Sequence, residues 1–167
     1  MSIKIAFTGP ESSGKTTLAK RVAKLFNGIC IEEYAREYLI NKLGYEQKDL
    51  DLIAKNQLEN WNVEGDLIIA DTELTVIKIW SEYRYNNCSE YILEKYNNQD
   101  FDHYFLCKPD IPWEEDPLRE NPNNREELFE LYLNELKSTY RSFTILEGSL
   151  ENRLKICKQV ISSFFKG

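Results

Sequence analysis

No two of the four cysteines form a CxxC pair: Cys30, Cys88, Cys107 and Cys157 are widely spaced, and the single histidine, His103, has no partner at metal-ligand spacing. A disulfide framework or a zinc site is therefore not expected, and the thiols read as reduced and mostly buried. No apolar run approaches the about 20 residues that span a bilayer, so no membrane role is expected. Basic residues are in deficit. The 21 Lys and Arg against 28 Asp and Glu leave a formal charge of −7, and with no basic patch to offset it a nucleic-acid partner is not expected. The amino terminus lacks the basic segment, longer apolar region and cleavage site of a signal peptide, which makes the cytoplasm the expected location. Internal repeats, low-complexity tracts and Gly/Ser linkers are also missing, so the chain reads as a single domain over residues 1–167.

What is present is an ordinary globular composition, with 42% hydrophobic and 29% charged residues. A chain of this size buries roughly 70% of its unfolded surface. Short apolar runs alternate with stretches of helical spacing. Ile3 to Thr8 is a strand that runs into Gly-Pro; Leu18, Val22, Ala23, Leu25 and Phe26 then recur at helical intervals up to Asn27-Gly28. Further strands are expected at 28–32, at Leu67 to Ala70 ending on Asp71, at 103–108 and at 143–146. Helices fall between them: one with apolar positions from Leu50 to Trp61, one from about Thr72 to Tyr85, one near 89–96, one over 125–140, and a terminal one begun near Ser149. Five β segments alternating with helices imply an α/β, three-layer fold with a mainly parallel five-stranded sheet.

The most informative motif lies between the first strand and the first helix. Residues 9–16 match GxxxxGK[ST] at every fixed position, with Gly9, Gly14, Lys15 and Thr16 in place. The glycines let backbone amides wrap an anion, and the following helix directs its positive end at it. Gly9, Glu11, Ser12, Ser13, Gly14, Lys15, Thr16 and Thr17 are thus expected to cradle the phosphates of ATP, with Lys15 on the β and γ phosphates and the Thr16 hydroxyl on magnesium. Asp71 stands at the carboxyl end of a strand, where open α/β sheets bind ligands, and reads either as a Walker-B-like acid for magnesium or as the N-cap of the next helix.

A phosphate loop alone does not name a reaction. The Asn-Lys-x-Asp element of a guanine reader is absent, since Asn41-Lys42 is followed by Leu43 and Gly44. An AAA-type machine would need a longer chain with a helical lid domain. Two features favour transfer to a small molecule. Just past the second strand, Glu32, Glu33, Tyr34 and Arg36 put acids, a ring and a guanidinium within five residues. Glu33 is placed to take an acceptor hydroxyl's proton, with Glu32 and Asp71 as alternatives, while Tyr34 would stack on a ring and Arg36 orient a sugar or phosphate. A solvated helix start would carry the same residues. The second feature is a lid-like insertion at about 109–124, stiffened by four of the five prolines, at 109, 112, 117 and 122. It carries Arg119, and Arg125 follows it, as counter-charges for a transferring phosphoryl group. Arg125 reads equally as a surface residue at a helix start.

Taken together, residues 8–17, 33–38, Gln57, Asp71-Thr72, Ile77 to Trp80, Pro109 to Trp113, Asp116 to Arg119, Gly148 and Arg153 resemble the ribosylnicotinamide kinase domain of the NadR type, a P-loop kinase family, over nearly the whole chain. The resemblance implies ATP-dependent phosphorylation of the ribose 5′-hydroxyl of nicotinamide riboside. It further implies a nucleotide-binding turn near Gly148 and Arg153, and acceptor contacts drawn from Tyr34, Arg36, Gln57, Trp80 and Trp113. No adenylyltransferase domain or DNA-binding segment precedes Met1, so a second activity is expected on another chain.

Overall fold

A computed structural model describes residues 1–166. Five strands, β1 (Ile3–Thr8), β2 (Ile29–Ile31), β3 (Leu67–Asp71), β4 (His103–Cys107) and β5 (Phe143–Leu146), pair in parallel in the order β2-β3-β1-β4-β5. Helices α1 (Lys15–Phe26), α2 (Tyr34–Leu39), α3 (Gln47–Asn60), α4 (Leu74–Tyr85), α5 (Glu90–Asn98), α6 (Arg125–Ser138) and α7 (Leu150–Phe164) connect them.

The strands are continuous apolar runs because both faces of the sheet are covered. Side chains alternate between the faces. Ile3, Ile5 and Phe7 join the cluster formed with Leu18, Val22, Cys157 and Ile161 of α1 and α7, whereas Ala6, Tyr104 and Leu106 pack with Leu128, Tyr132 and Leu136 of α6. A third cluster unites Leu39 of α2, Leu50 and Ile53 of α3, Ile77 of α4 and Ile92 of α5. In α1 the buried stripe is Leu18, Ala19, Val22 and Ala23, and Leu25, expected in it, is 51% exposed, at the edge of the stripe in the last turn of the helix.

One boundary bears directly on the site. The helix expected from Thr72 starts at Leu74, since Thr72 has φ +77° and Glu73 is the N-cap, its carboxylate accepting the Thr75 amide at 2.7 Å. Asp71 is consequently the last residue of β3 and is not spent on capping. β1 lies between β3 and β4, so the strand order reverses beside its carboxyl end, the position at which open sheets of this kind bind ligands. Residues 109–124 form irregular chain between β4 and α6.

Candidate functional site

The loop after β1 owes its shape to two glycines. Gly9 has φ +130°, and a Cβ there would sit 2.7 Å from the Cys107 carbonyl oxygen; Gly14 has φ +89° and forms the N-cap of α1 without any side chain over the helix end. No acidic residue occupies the first turn of α1, so its amide dipoles remain open to an anion. Lys15 Nζ folds back and donates to the carbonyls of Gly9 at 2.8 Å and Pro10 at 2.7 Å. Ser13 Oγ donates to Pro10 O at 2.7 Å.

Thr16 Oγ1 donates to Asp71 Oδ2 at 2.7 Å, tying the start of α1 to the end of β3. Asp71 is only 2% exposed and its Oδ1 is a buried acceptor without a partner; Thr72 Oγ1, next in sequence, and Thr8 Oγ1, at the end of the paired strand β1, are orphaned in the same way. Burial pushes the Asp71 carboxyl above the ordinary range, and the Thr16 hydrogen bond only partly opposes this. Orphaned oxygen beside a hydroxyl fits a hard divalent cation held by one hydroxyl, one carboxylate, water and phosphate oxygens. Among the described residues no cluster of three or more His, Cys, Asp or Glu could hold a metal alone.

Because its pKa is raised on folding, the Asp71 carboxyl contributes stability while protonated and loses it as pH rises through the raised value. Asp71→Asn keeps an acceptor for Thr16 and removes the buried charge. The ligand-free variant is expected to melt roughly 2–4 °C higher than the wild type at pH 7, with the gain shrinking towards pH 4. Scanning fluorimetry at the two pH values checks this, and a lower melting point at pH 7 would contradict it.

A cavity of about 470 Å³ is lined by residues 9–17 together with Glu33, Ala35, Arg36, Leu39, Val76, Ile79, Trp80, Tyr83, Arg84 and Tyr132, with Leu118 to Asn121 as its roof. Glu33 is the N-cap of α2 but makes no capping bond, so its carboxylate is available to the cavity. Burial raises its pKa, with the Lys15 charge opposing. Its neighbour Glu32 is spent differently, in an exposed ion pair with Lys20 at 2.7 Å. A second hollow, lined by Thr16, Lys20, Tyr34, Asn60 and Asp71, shares the Glu33 and Arg36 wall. Tyr34 is found there, its ring 6.1 Å from that of Tyr38, and does not line the first cavity.

In the same wall Trp80 Nε1 donates to Tyr45 Oη at 2.7 Å, and Tyr45 Oη donates to Glu120 Oε2 at 2.8 Å. Arg84 completes this group by donating to both Glu120 oxygens at 3.0 and 3.1 Å and by lying 4.5 Å over the Tyr45 ring. Arg36 pairs with Asp116 at 2.7 Å. Arg119 lines the roof, its guanidinium turned to the Glu114 carbonyl.

Several residues expected at the site support it from outside both hollows. Gln57, expected as an acceptor contact, accepts the Tyr34 amide at 2.7 Å and donates to Glu32 O at 3.3 Å, fixing the chain on either side of Glu33. The Trp113 ring has the guanidinium groups of Arg119 and Arg125 within 5.9 and 5.6 Å of its centre, in the roof segment rather than in the cavity wall. Arg125 donates to Ser12 O at 2.9 Å and Ile111 O at 3.0 Å, a clamp rather than a surface side chain. Arg153, expected at the nucleotide, is 2% exposed and saturated by the carbonyls of Ser13, Lys108 and Gly148 and by Asp110. Gly148 donates its amide to the same Asp110 at 2.7 Å, so both belong to a strut behind the phosphate loop.

Sequence reasoning passed over Tyr45, Tyr83, Arg84, Glu120 and Tyr132. Tyr132 falls at helical spacing with Leu128 and Phe129 and is written like any core residue; only the cavity distinguishes it. The single histidine is remote in function, bonded through both ring nitrogens to the hydroxyls of Ser142 and Thr144. No described helix is long and apolar enough to cross a membrane.

A parallel sheet covered on both faces, a glycine loop closing on a lysine, and an acid at the neighbouring strand end define a P-loop nucleotide-binding domain. A family model described as an AAA domain matches residues 4–153, and the chain belongs to that family. The exclusion of the AAA class on length is thereby corrected for the phosphate-loop core. Over 94% of its length the chain is 26% identical to the trifunctional NAD biosynthesis/regulator protein NadR of Escherichia coli (strain K12), of which it spans 41%. A NadR crystal structure in complex with NR superposes with TM-score 0.79 at 21% identity, covering 98% of this chain and 51% of that one. Deoxyadenosine kinase from M. mycoides matches with TM-score 0.67 at 18% identity, covering 96% of this chain and all of that one. The fold is shared with that enzyme and with thymidylate kinase from Ehrlichia chaffeensis, which matches with TM-score 0.65 at 13% identity, covering 98% of both chains.

Proposed function

We propose that the chain is an ATP-dependent phosphotransferase that phosphorylates the ribose 5′-hydroxyl of nicotinamide riboside, giving the mononucleotide. The observation that carries the reading is a single cavity whose wall brings together the phosphate loop with Lys15, the carboxylate of Glu33 and the rings of Trp80, Tyr83 and Tyr132. Those are the groups that transfer to a ring-bearing alcohol requires: a cradle for the donor phosphate, a proton acceptor and an aromatic wall. The similarity to NadR over nearly the whole chain supports the choice of acceptor.

In this mechanism the amides of residues 9–17 and Lys15 hold the triphosphate, and Arg119 swings from the Glu114 carbonyl to the transferring group. Glu33 takes the hydroxyl proton as the acceptor oxygen bonds to the γ-phosphorus and the bridging oxygen leaves with ADP. Thr16 and Asp71 would hold magnesium, which neutralises charge developing on the phosphates. Arg36 and Trp80 orient the acceptor. The reaction needs only small molecules and suits a cytoplasmic enzyme.

An ADP-release assay with product detection, run over nicotinamide riboside, deoxyadenosine, other nucleosides and nucleoside monophosphates, tests the reading. Nicotinamide riboside is expected to give a kcat/KM at least about tenfold above the rest. A higher value for another alcohol would transfer the proposal to that acceptor, as the deoxyadenosine kinase fold likeness would favour for a deoxynucleoside. Tight ATP binding without product from any acceptor would make the chain a nucleotide-sensing module instead.

A further inference from the structure

The GxxxxGK[ST] pattern leaves residues 10–13 free, yet two of them, Glu11 and Ser12, make specific bonds to the roof segment more than a hundred residues away. The Glu11 carboxylate accepts the Glu120 amide at 3.2 Å on each oxygen, the Asn121 amide at 2.9 Å and Asn121 Nδ2 at 3.3 Å. Ser12 Oγ accepts the Glu114 amide at 3.0 Å, and Ser12 O accepts Arg125 Nη1 at 2.9 Å. The phosphate loop thus grips the chain before and after Arg119. Ser12 holds φ +52°, a left-handed conformation that costs a non-glycine residue about 1 kcal/mol and persists where surrounding contacts demand it.

We propose that Glu11 is a positioning residue for phosphoryl transfer: its carboxylate latches the backbone at 120–121 to the phosphate loop, setting adjacent Arg119 over the donor phosphate and shutting water out. The inference rests on the phosphotransferase reading above but not on the identity of the acceptor. A carboxylate facing three N–H donors makes charge-assisted bonds, stronger than those between neutral groups. It has a cost as well, since the same negative charge stands beside the incoming triphosphate. Binding energy alone does not account for an acid at this position, whereas control of the roof does. With the latch lost, the roof opens while the amide cradle and Lys15 remain, so that water competes with the acceptor alcohol for the γ-phosphorus. The O–P bond then forms to water, and ADP and inorganic phosphate are released in place of a phosphorylated acceptor.

Two variants of the full chain separate latch from charge. Glu11→Ala removes the acceptor oxygens, and Glu11→Gln removes the charge but keeps one oxygen for the amides. Amide hydrogen exchange, with and without ADP, is expected to speed up about tenfold or more over residues 114–124 in Glu11→Ala, and Glu11→Gln is expected to restore at least half of the protection. With ATP and nicotinamide riboside, Glu11→Ala is expected to lower phosphorylated product per ADP released by about tenfold. Unchanged exchange in Glu11→Ala, or a Glu11→Gln variant as impaired as Glu11→Ala, would overturn the proposal. If the wild type makes no product from nicotinamide riboside, the acceptor assignment fails, and the exchange over 114–124 in the ADP complex still decides for or against the latch.

Discussion

Lys15→Ala is expected to lower kcat by about 10³-fold or more while leaving the fold intact. The size of the loss follows from where the ammonium group is and what it is bonded to. In the ligand-free chain Nζ is spent on the Gly9 and Pro10 carbonyls of its own loop, bonds that link no separate elements and that a phosphate oxygen would replace. Removing them should therefore move the melting temperature little. During transfer, however, Lys15 is the one cation of the loop itself, and the amides that remain carry only partial charges. Steady-state kinetics beside a thermal melt check both halves, and turnover within tenfold of the wild type would remove the loop lysine from the mechanism.

Glu33→Gln is expected to reduce kcat by roughly 10² to 10⁴-fold, the range of a positioned general base, with a much smaller change in the acceptor KM. The burial that raises this carboxyl's pKa also fixes the form of the pH profile. Transfer requires the ionised form, so wild-type kcat/KM, which reports the free enzyme, should fall on the acid side with an apparent pKa above the ordinary carboxylate range, and that limb should vanish in Glu33→Gln. For stability the sign is opposite to that of a salt-bridged acid. A carboxyl whose pKa is raised on folding stabilises below its unfolded pKa and ceases to do so as pH rises through the folded value. Glu33→Gln should accordingly be at least as stable as the wild type at pH 7. A flat wild-type profile between pH 5 and 8, or a variant that loses only affinity, would assign the proton to another group.

The parts of this molecule that could be read from sequence are those set by local rules. The strand before Gly9 and the helix after Gly14 are dictated by an apolar run, two turn glycines and the spacing of Leu18, Val22 and Ala23, and every strand appears within about a residue of its expected place. Parallel order also follows, because each strand is separated from the next by helix. Long-range geometry was less accessible. Asp71 and Glu73 are both acids near a helix start, and only the backbone turn at Thr72 decides that Glu73 caps the helix while Asp71 faces the loop. Arg153 and Gln57 carry the polar chemistry of ligand contacts yet are used to bind carbonyls, since a buried loop must have its backbone groups satisfied by something. Tyr45 and Glu120 meet across 75 residues, a pairing that no spacing rule could supply.

The absent side chain at Gly9 lets the Cys107 carbonyl approach so closely that any Cβ would collide with it. The anion cradle is therefore seated on the tip of β4, the same tip from which residues 109–124 depart. Cradle and cover share one footing, and a shift of that strand end by even a fraction of an ångström displaces both in the same direction. Their alignment is thus preserved through backbone motion that would misalign two parts mounted on separate strands.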